Sequence, residues 1–137
     1  CMIGGYMSFQ GFEGKGRYHN TPIEEILPVE IYPYDDRQEV PEGFNPQLVA
    51  NNHPLVAGVP DEWPYLLGYN RLKLKENSVL IAEYDQDPII AAAQYGQGRT
   101  VIFASDCAPH WGSPDFCNWE FYPMFWQNVV NWLAGKK

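Results

Sequence analysis

The stretch "PIIAAAQYGQGRTVIFASD", Pro88 to Asp106, constrains the fold more than any other. Two apolar runs flank "YGQGR", and a glycine-bearing turn between such runs predicts a β-hairpin. Near the end of the chain, "WEFYPMFWQNVVNWLAG" places Phe121, Tyr122, Phe125, Trp126, Val129 and Leu133 at three- and four-residue spacings, with Gly135 as a stop. That is an amphipathic helix whose aromatic stripe packs on a core. "NRLKLK" alternates as a half-exposed strand should, and "SVLIAEY" follows it after a Glu-Asn turn. "VEIYPY" reads as a strand, with Pro33 favouring an edge position, and "CMI" reads as the end of a buried strand. The mixture predicts a layered α/β fold with a C-terminal β-hairpin and a closing helix.

Between these signals, "TPIEEIL" carries helix-start chemistry: Thr21 as N-cap, Pro22 in the first turn, Glu24 three residues after the cap. Pro28 ends it. Residues 35 to 68 hold many prolines and glycines and read mostly as loop, with one short helical turn in "HPLVAGVP". No repeat, low-complexity tract or interdomain linker divides the chain, so residues 1–137 are expected to form a single domain.

The formal net charge is −8, which argues against nucleic-acid and anionic-membrane partners. The acidic excess between Glu13 and Glu42 shows no metal-ligand spacing and reads as a solvated face; neither a metal nor a cofactor is expected. Three cysteines, Cys1, Cys107 and Cys117, are an odd number without a CxxC pair. That excludes a disulfide framework or zinc ribbon and suits a reducing cytoplasm, the expected location. No run approaches the roughly 18 apolar residues of a membrane span. The abrupt start at Cys1 is read as a fragment or cleavage product, in preference to a lipidated cysteine.

Three stretches bear on chemistry. "GFEGKGR" lacks the Ser or Thr that a phosphate loop needs after its GK, and no long helix follows its glycines. It reads as a mobile loop in which Arg17 is placed to meet an anion. "IGGYMSF" resembles a sharp strand-to-loop turn with Tyr6 at the tip and Ser8 beyond it. "DCAPHWG" sets Asp106 at the carboxyl end of a buried strand, where open α/β sheets place their ligands, with His110 and Trp111 in the turn after it. His110 is suited to titrate near neutral pH, and Trp111 to wall a pocket. Cys107 reads as a buried, inert thiol, and His19 and His53 as loop histidines.

Taken together, "GGYMSFQGFEGKGRYHNTPIEEILPVEI", "NHPLVAGVP", "GYNRLKLK", "IIAAAQYGQGRTVIFASDCAPHW" and "FYPMFWQNVVNWLAG" resemble the glutamine-amidotransferase-like proteins of bacteria, in the class I glutamine amidotransferase-like superfamily. The resemblance implies a flavodoxin-like sandwich, incomplete at the N-terminus, of which this chain is the later part. In active members a cysteine stands at the elbow, with a His and a Glu two residues apart after a late strand. Here the elbow falls near Tyr6 and the histidine-bearing turn at Asp106–His110, without an elbow cysteine or a His-x-Glu. Glutaminase activity is therefore not expected. The expected site is a pocket of Tyr6, Ser8, Phe9, Asp106, His110 and Trp111, with Arg17 nearby, that binds a small molecule or a protein partner. In it His110 is expected to accept a proton or hydrogen bond, Asp106 to orient it or bind the ligand, and Trp111 to supply an apolar wall. The alternative is a hydrolase or amidohydrolase with His110 as base and Ser8 or water as nucleophile. A homo-oligomer is compatible with the aromatic content.

Overall fold

The computed structural model describes residues 1–136. The predicted hairpin forms its centre. Strands β8 (Asp87–Tyr95) and β9 (Gly98–Phe103) pair antiparallel from Ile90↔Phe103 to Tyr95↔Gly98. Ile89 to Ala92 and Val101 to Phe103 are essentially buried, as apolar runs without alternation should be. On one side the hairpin is extended by β7 (Val79–Tyr84) and the short β4 (Gln47–Leu48), on the other by β1 (Met2–Ile3). The sheet order is β1-β9-β8-β7-β4. Of the flavodoxin-like arrangement expected, the described residues contain one parallel pair, with Met2 opposite Ile102 and Ile3 opposite Phe103.

Two smaller antiparallel pairs complete the strands. One joins β2 (Val29–Ile31) to β6 (Leu72–Leu74); the other joins β3 (Arg37–Phe44) to β5 (Leu66–Asn70). The architecture is mixed α/β, with a mostly antiparallel main sheet and few helices. In α1 (Pro22–Ile26), Thr21 Oγ1 accepts from the Glu24 amide at 3.4 Å, while Glu24 Oε2 accepts from the Asn20 amide at 2.6 Å. The cap satisfies an amide that a helix start leaves unpaired, and the acid ties down the residue just before the cap. Ser113 caps the single turn α2 (Pro114–Cys117) in the same way. The predicted closing helix, α3 (Tyr122–Leu133), buries Phe125 and Val129. Phe103 meets its ring system, with centroids 5.9 Å from Phe125 and 5.4 Å from Trp126.

The reading of residues 35 to 68 as mostly loop is corrected here. That region contains the whole eight-residue β3 and the start of β5. Of β3 only Val40 and Phe44 are buried, and the register shifts between Glu39 and Phe44, so no period-two pattern survives in the sequence. "NRLKLK" also divides: Asn70 ends β5, Arg71 breaks the chain direction, and β6 begins at Leu72. The short turn expected in "HPLVAGVP" is present at Pro54–Val56, capped by His53.

Candidate functional site

The carboxyl ends of β1 and β9 lie side by side, and two loops leave from them. After β1 the chain passes through Gly4 and Gly5, and Asn70 fixes the second of these. Asn70 Oδ1 accepts from the Gly5 amide at 2.9 Å and Asn70 Nδ2 donates to the Gly5 carbonyl at 3.1 Å. Gly5 has φ 151°, which an L side chain rarely adopts. A Cβ there would also lie 3.6 Å from both Asp106 Oδ1 and Ser8 Oγ. Acid and hydroxyl thus converge on the backbone of the elbow.

Beyond the elbow, residues 9–20 fold into an unusual loop. Phe9, Glu13, Arg17 and Asn20 all have positive φ, between 51° and 62°. Such backbone persists only where its surroundings hold it. The holding groups are carboxylates. Asp36 accepts from the amides of Gln10 and Gly11 at 2.9 Å each and from Asn70 Nδ2 at 2.8 Å; Asp35 accepts from the Glu13 amide at 2.9 Å. The loop that reads from its composition as mobile thus has three of its amides taken up by the chain's own carboxylates.

Above this frame stands an aromatic and charged cluster. The Tyr6 hydroxyl donates to Glu39 Oε1 at 2.6 Å, and Trp111 Nε1 donates to Glu39 Oε2 at 3.1 Å. The His110 ring meets Tyr6 edge to face at 4.7 Å, and Trp111 meets it at 5.7 Å. The Arg37 guanidinium lies over both Tyr6 and Phe12, 4.5 Å from each centroid, and binds Asp35 through two parallel bonds of 2.8 and 2.9 Å. Cation–ring contact and a bidentate carboxylate together immobilise a side chain that would otherwise sweep solvent.

The electrostatics follow this geometry. Burial raises the proton affinity of the Asp106 carboxyl, opposed by the Trp111 amide and nearby His110. Burial likewise raises Asp36, opposed by its three donors. Arg37 holds Asp35 far below the usual carboxylate range. The hydrogen bond to Glu39, foremost, raises the Tyr6 phenol.

Of the residues expected from sequence, Tyr6, Asp106, His110 and Trp111 come together with Ser8 at the elbow. Tyr6 and His110 are exposed, whereas Trp111 is wholly buried against Gly68. Phe9 is also fully buried and belongs to the hydrophobic core. Arg17 is exposed on the far part of the loop; the guanidinium in the cluster is that of Arg37. No hydrogen bond joins Ser8 to His110 among the described residues. Sequence reasoning missed Glu39, Arg37, Asp36 and Asn70. The first three were hidden in what read as a solvated acidic run, where the one local signal available was Arg37 two residues after Asp35. Among the described residues no group of three or more His, Cys, Asp and Glu side chains is arranged to hold a metal, and no helix is long and apolar enough to cross a membrane.

The mixed α/β domain carries a glycine-bearing turn after β1 and the Asp106–His110 turn after its parallel neighbour β9, and the family is given by comparison. Residues 1–135 match the model of the family described as "Putative glutamine amidotransferase", and the chain belongs to that family. Among solved structures, cytoplasmic protein STM1381 from Salmonella typhimurium LT2 is 47% identical with a TM-score of 0.92, covering 98% of this chain and 54% of its own. Cytoplasmic protein STM3548 from Salmonella typhimurium is 41% identical with a TM-score of 0.91, covering 96% and 53%. The chain thus spans about half the length of these proteins. No curated protein matches it.

Proposed function

We propose that this domain is a non-glutaminase member of its family that binds a small ligand against Tyr6 and His110. One observation carries the reading: the elbow residue is a tyrosine engaged with Glu39, where glutaminase chemistry requires a thiolate beside its base. Cys1 is exposed ahead of β1, and Cys107 follows Asp106 in the opposite loop. Tyr6 and His110 offer a ligand a phenol ring and an imidazole, while Arg37 and Glu39 are already engaged and act by holding the Tyr6 and Trp111 rings in place. The parallel β1–β9 pair supports reading the domain as part of a flavodoxin-like sandwich completed by further chain, and the half-length match to larger proteins supports the same view. The cytoplasmic description of both solved neighbours supports a cytoplasmic location.

The test is a small-molecule thermal-shift screen on the full-length protein, with a parallel assay of ammonia release from glutamine. The expected result is no ammonia, and at least one stabilising compound whose effect is lost in His110→Ala and in Tyr6→Ala. Ammonia release abolished by a single cysteine substitution would restore the glutaminase reading. Ester or amide hydrolysis abolished by Ser8→Ala would install the hydrolase in its place.

A further inference from the structure

A cavity of about 540 Å³ lies away from the elbow, between α3, the turn at Pro54–Val56 and the sheet. Its volume falls in the range of small-molecule sites, about 300–1,000 Å³. Strand register sets its floor. Val79 pairs with Ala92, and Gln94, two residues on, pairs with Arg99. Residues directly opposite, or two apart along a strand, share a face, so Val79, Ala92, Gln94 and Arg99 form one strip of the sheet surface. Ala92 is the small member of that strip and leaves depth in the floor.

The walls are aromatic. His53 and Trp132 line the cavity with ring centroids 5.6 Å apart. Arg99 fixes the indole: Nη1 donates to the Trp132 carbonyl at 2.8 Å, and the guanidinium stands 5.1 Å from the ring centroid. His53 Nδ1 accepts from the Leu55 amide at 3.2 Å. A neutral imidazole in that bond carries its proton on Nε2, which makes the other side of the ring a donor. Burial lowers the proton affinity of His53 and so favours this neutral form. The rim supplies Asn77 and Gln94, whose amides each offer a donor and an acceptor.

We propose that this cavity binds a planar nitrogen heterocycle of the nucleobase type. The ligand stacks on Trp132, and Asn77, Gln94 and His53 Nε2–H read its polar edge. Arg99 covers one face of the indole and holds the ring rigid, so the flat π-system stacks on the opposite face, and two amides suit an edge that alternates donor and acceptor. A non-planar ligand of equal volume would forgo both. The inference is independent of the Tyr6–His110 reading.

The test is saturation-transfer NMR on the full-length protein with adenine, uracil and nicotinamide as probes and cyclohexanol as the non-planar control. At least one heterocycle is expected to bind with Kd below roughly 1 mM, cyclohexanol not at all. Trp132→Ala should weaken binding by about tenfold or more, the usual effect of removing a stacking platform. Because Trp132 also packs against the sheet, Asn77→Ala and Gln94→Ala serve as the deciding variants; both residues are exposed and can be replaced without disturbing the fold. Each should weaken the heterocycle several-fold, and His110→Ala should leave it unchanged. Absence of transfer from all three heterocycles, equal binding of cyclohexanol, or affinity indifferent to both amide substitutions would overturn the proposal.

Discussion

The Tyr6 hydroxyl sits 2.6 Å from Glu39 Oε1, so the tip of the elbow after β1 is tied to the third residue of β3. The same carboxylate takes the Trp111 indole proton at 3.1 Å, and one exposed glutamate thereby joins three separate segments of chain. Its loss should register first in the phenol. The hydrogen bond to Glu39 is the leading cause of the raised Tyr6 proton affinity, so Glu39→Gln should lower the Tyr6 pKa toward the ordinary value of 10.0. NMR titration with ring-labelled tyrosine measures this directly. An unchanged phenol would deny Glu39 its role.

Gly68 tests the burial of Trp111. A Cβ at this position would lie 2.3 Å from Nε1 and 2.6 Å from Cδ1 of the indole, far inside contact distance. The indole is fully buried and cannot move aside. Gly68→Ala should therefore cost about 1–3 kcal/mol, the usual range for overpacking, and alter the near-ultraviolet circular dichroism. A urea melt that coincides with the parent protein would place Trp111 elsewhere.

Asn70 is wholly buried and donates to Asp36 Oδ1 at 2.8 Å. Asn70→Asp removes that donor and sets a second carboxyl against the first. Two buried acids at such range cannot both ionise, so one must take up a proton. The variant should lose about 1–3 kcal/mol at neutral pH from the unmet hydrogen bonds alone. Part of the loss should return on acidification as the shared proton binds. A loss independent of pH would show that the two groups do not interact.

The parent protein carries the same logic in weaker form. Asp36 has a folded-state proton affinity above its ordinary pKa of 3.8, so the folded state binds the proton first and stability rises as pH falls through that raised value toward 3.8. Asp35 is shifted the other way by Arg37. Its contribution is present above the ordinary pKa of 3.8 and is lost as pH falls below it. Denaturation midpoints across this range should therefore rise and then fall on acidification. In Asp36→Asn the rise should shrink to the part contributed by Asp106, whose carboxyl burial raises in the same direction, while the acid-side fall remains.

The hairpin β8–β9 and the helix α3 were legible because their information is local: unbroken apolar runs, a glycine turn, and a three-and-four spacing closed by Gly135. The pairing of β3 with β5 was not. It sets Arg37 opposite Asn70 across a wide sequence gap, on a strand whose buried residues are only Val40 and Phe44. Pairing partners that distant leave no periodic trace in either segment. The site divides along the same line. "GGYMS" and "DCAPHWG" carry visible chemistry, and Tyr6, Asp106, His110 and Trp111 do converge. Glu39 and Arg37 reach the site only through the β3–β5 pairing, so their part in it depends on contacts that no short stretch of sequence reports.

Consider the loop that wraps Asp35 and Asp36 in terms of how the chain reaches its folded state. The Gln10 and Gly11 amides are bound by Asp36, 26 and 25 positions away, and the Gly5 amide by Asn70, 65 positions away. Closing such spans costs chain entropy before any hydrogen bond is gained, so contacts of this kind tend to form after local ones. On that ground the elbow is expected to form late, once β3 and β5 have met and Asp36 and Asn70 are in place. Lesions in those two strands, distant in sequence from Tyr6 and His110, would leave a chain whose hairpin and closing helix have formed while its elbow has not.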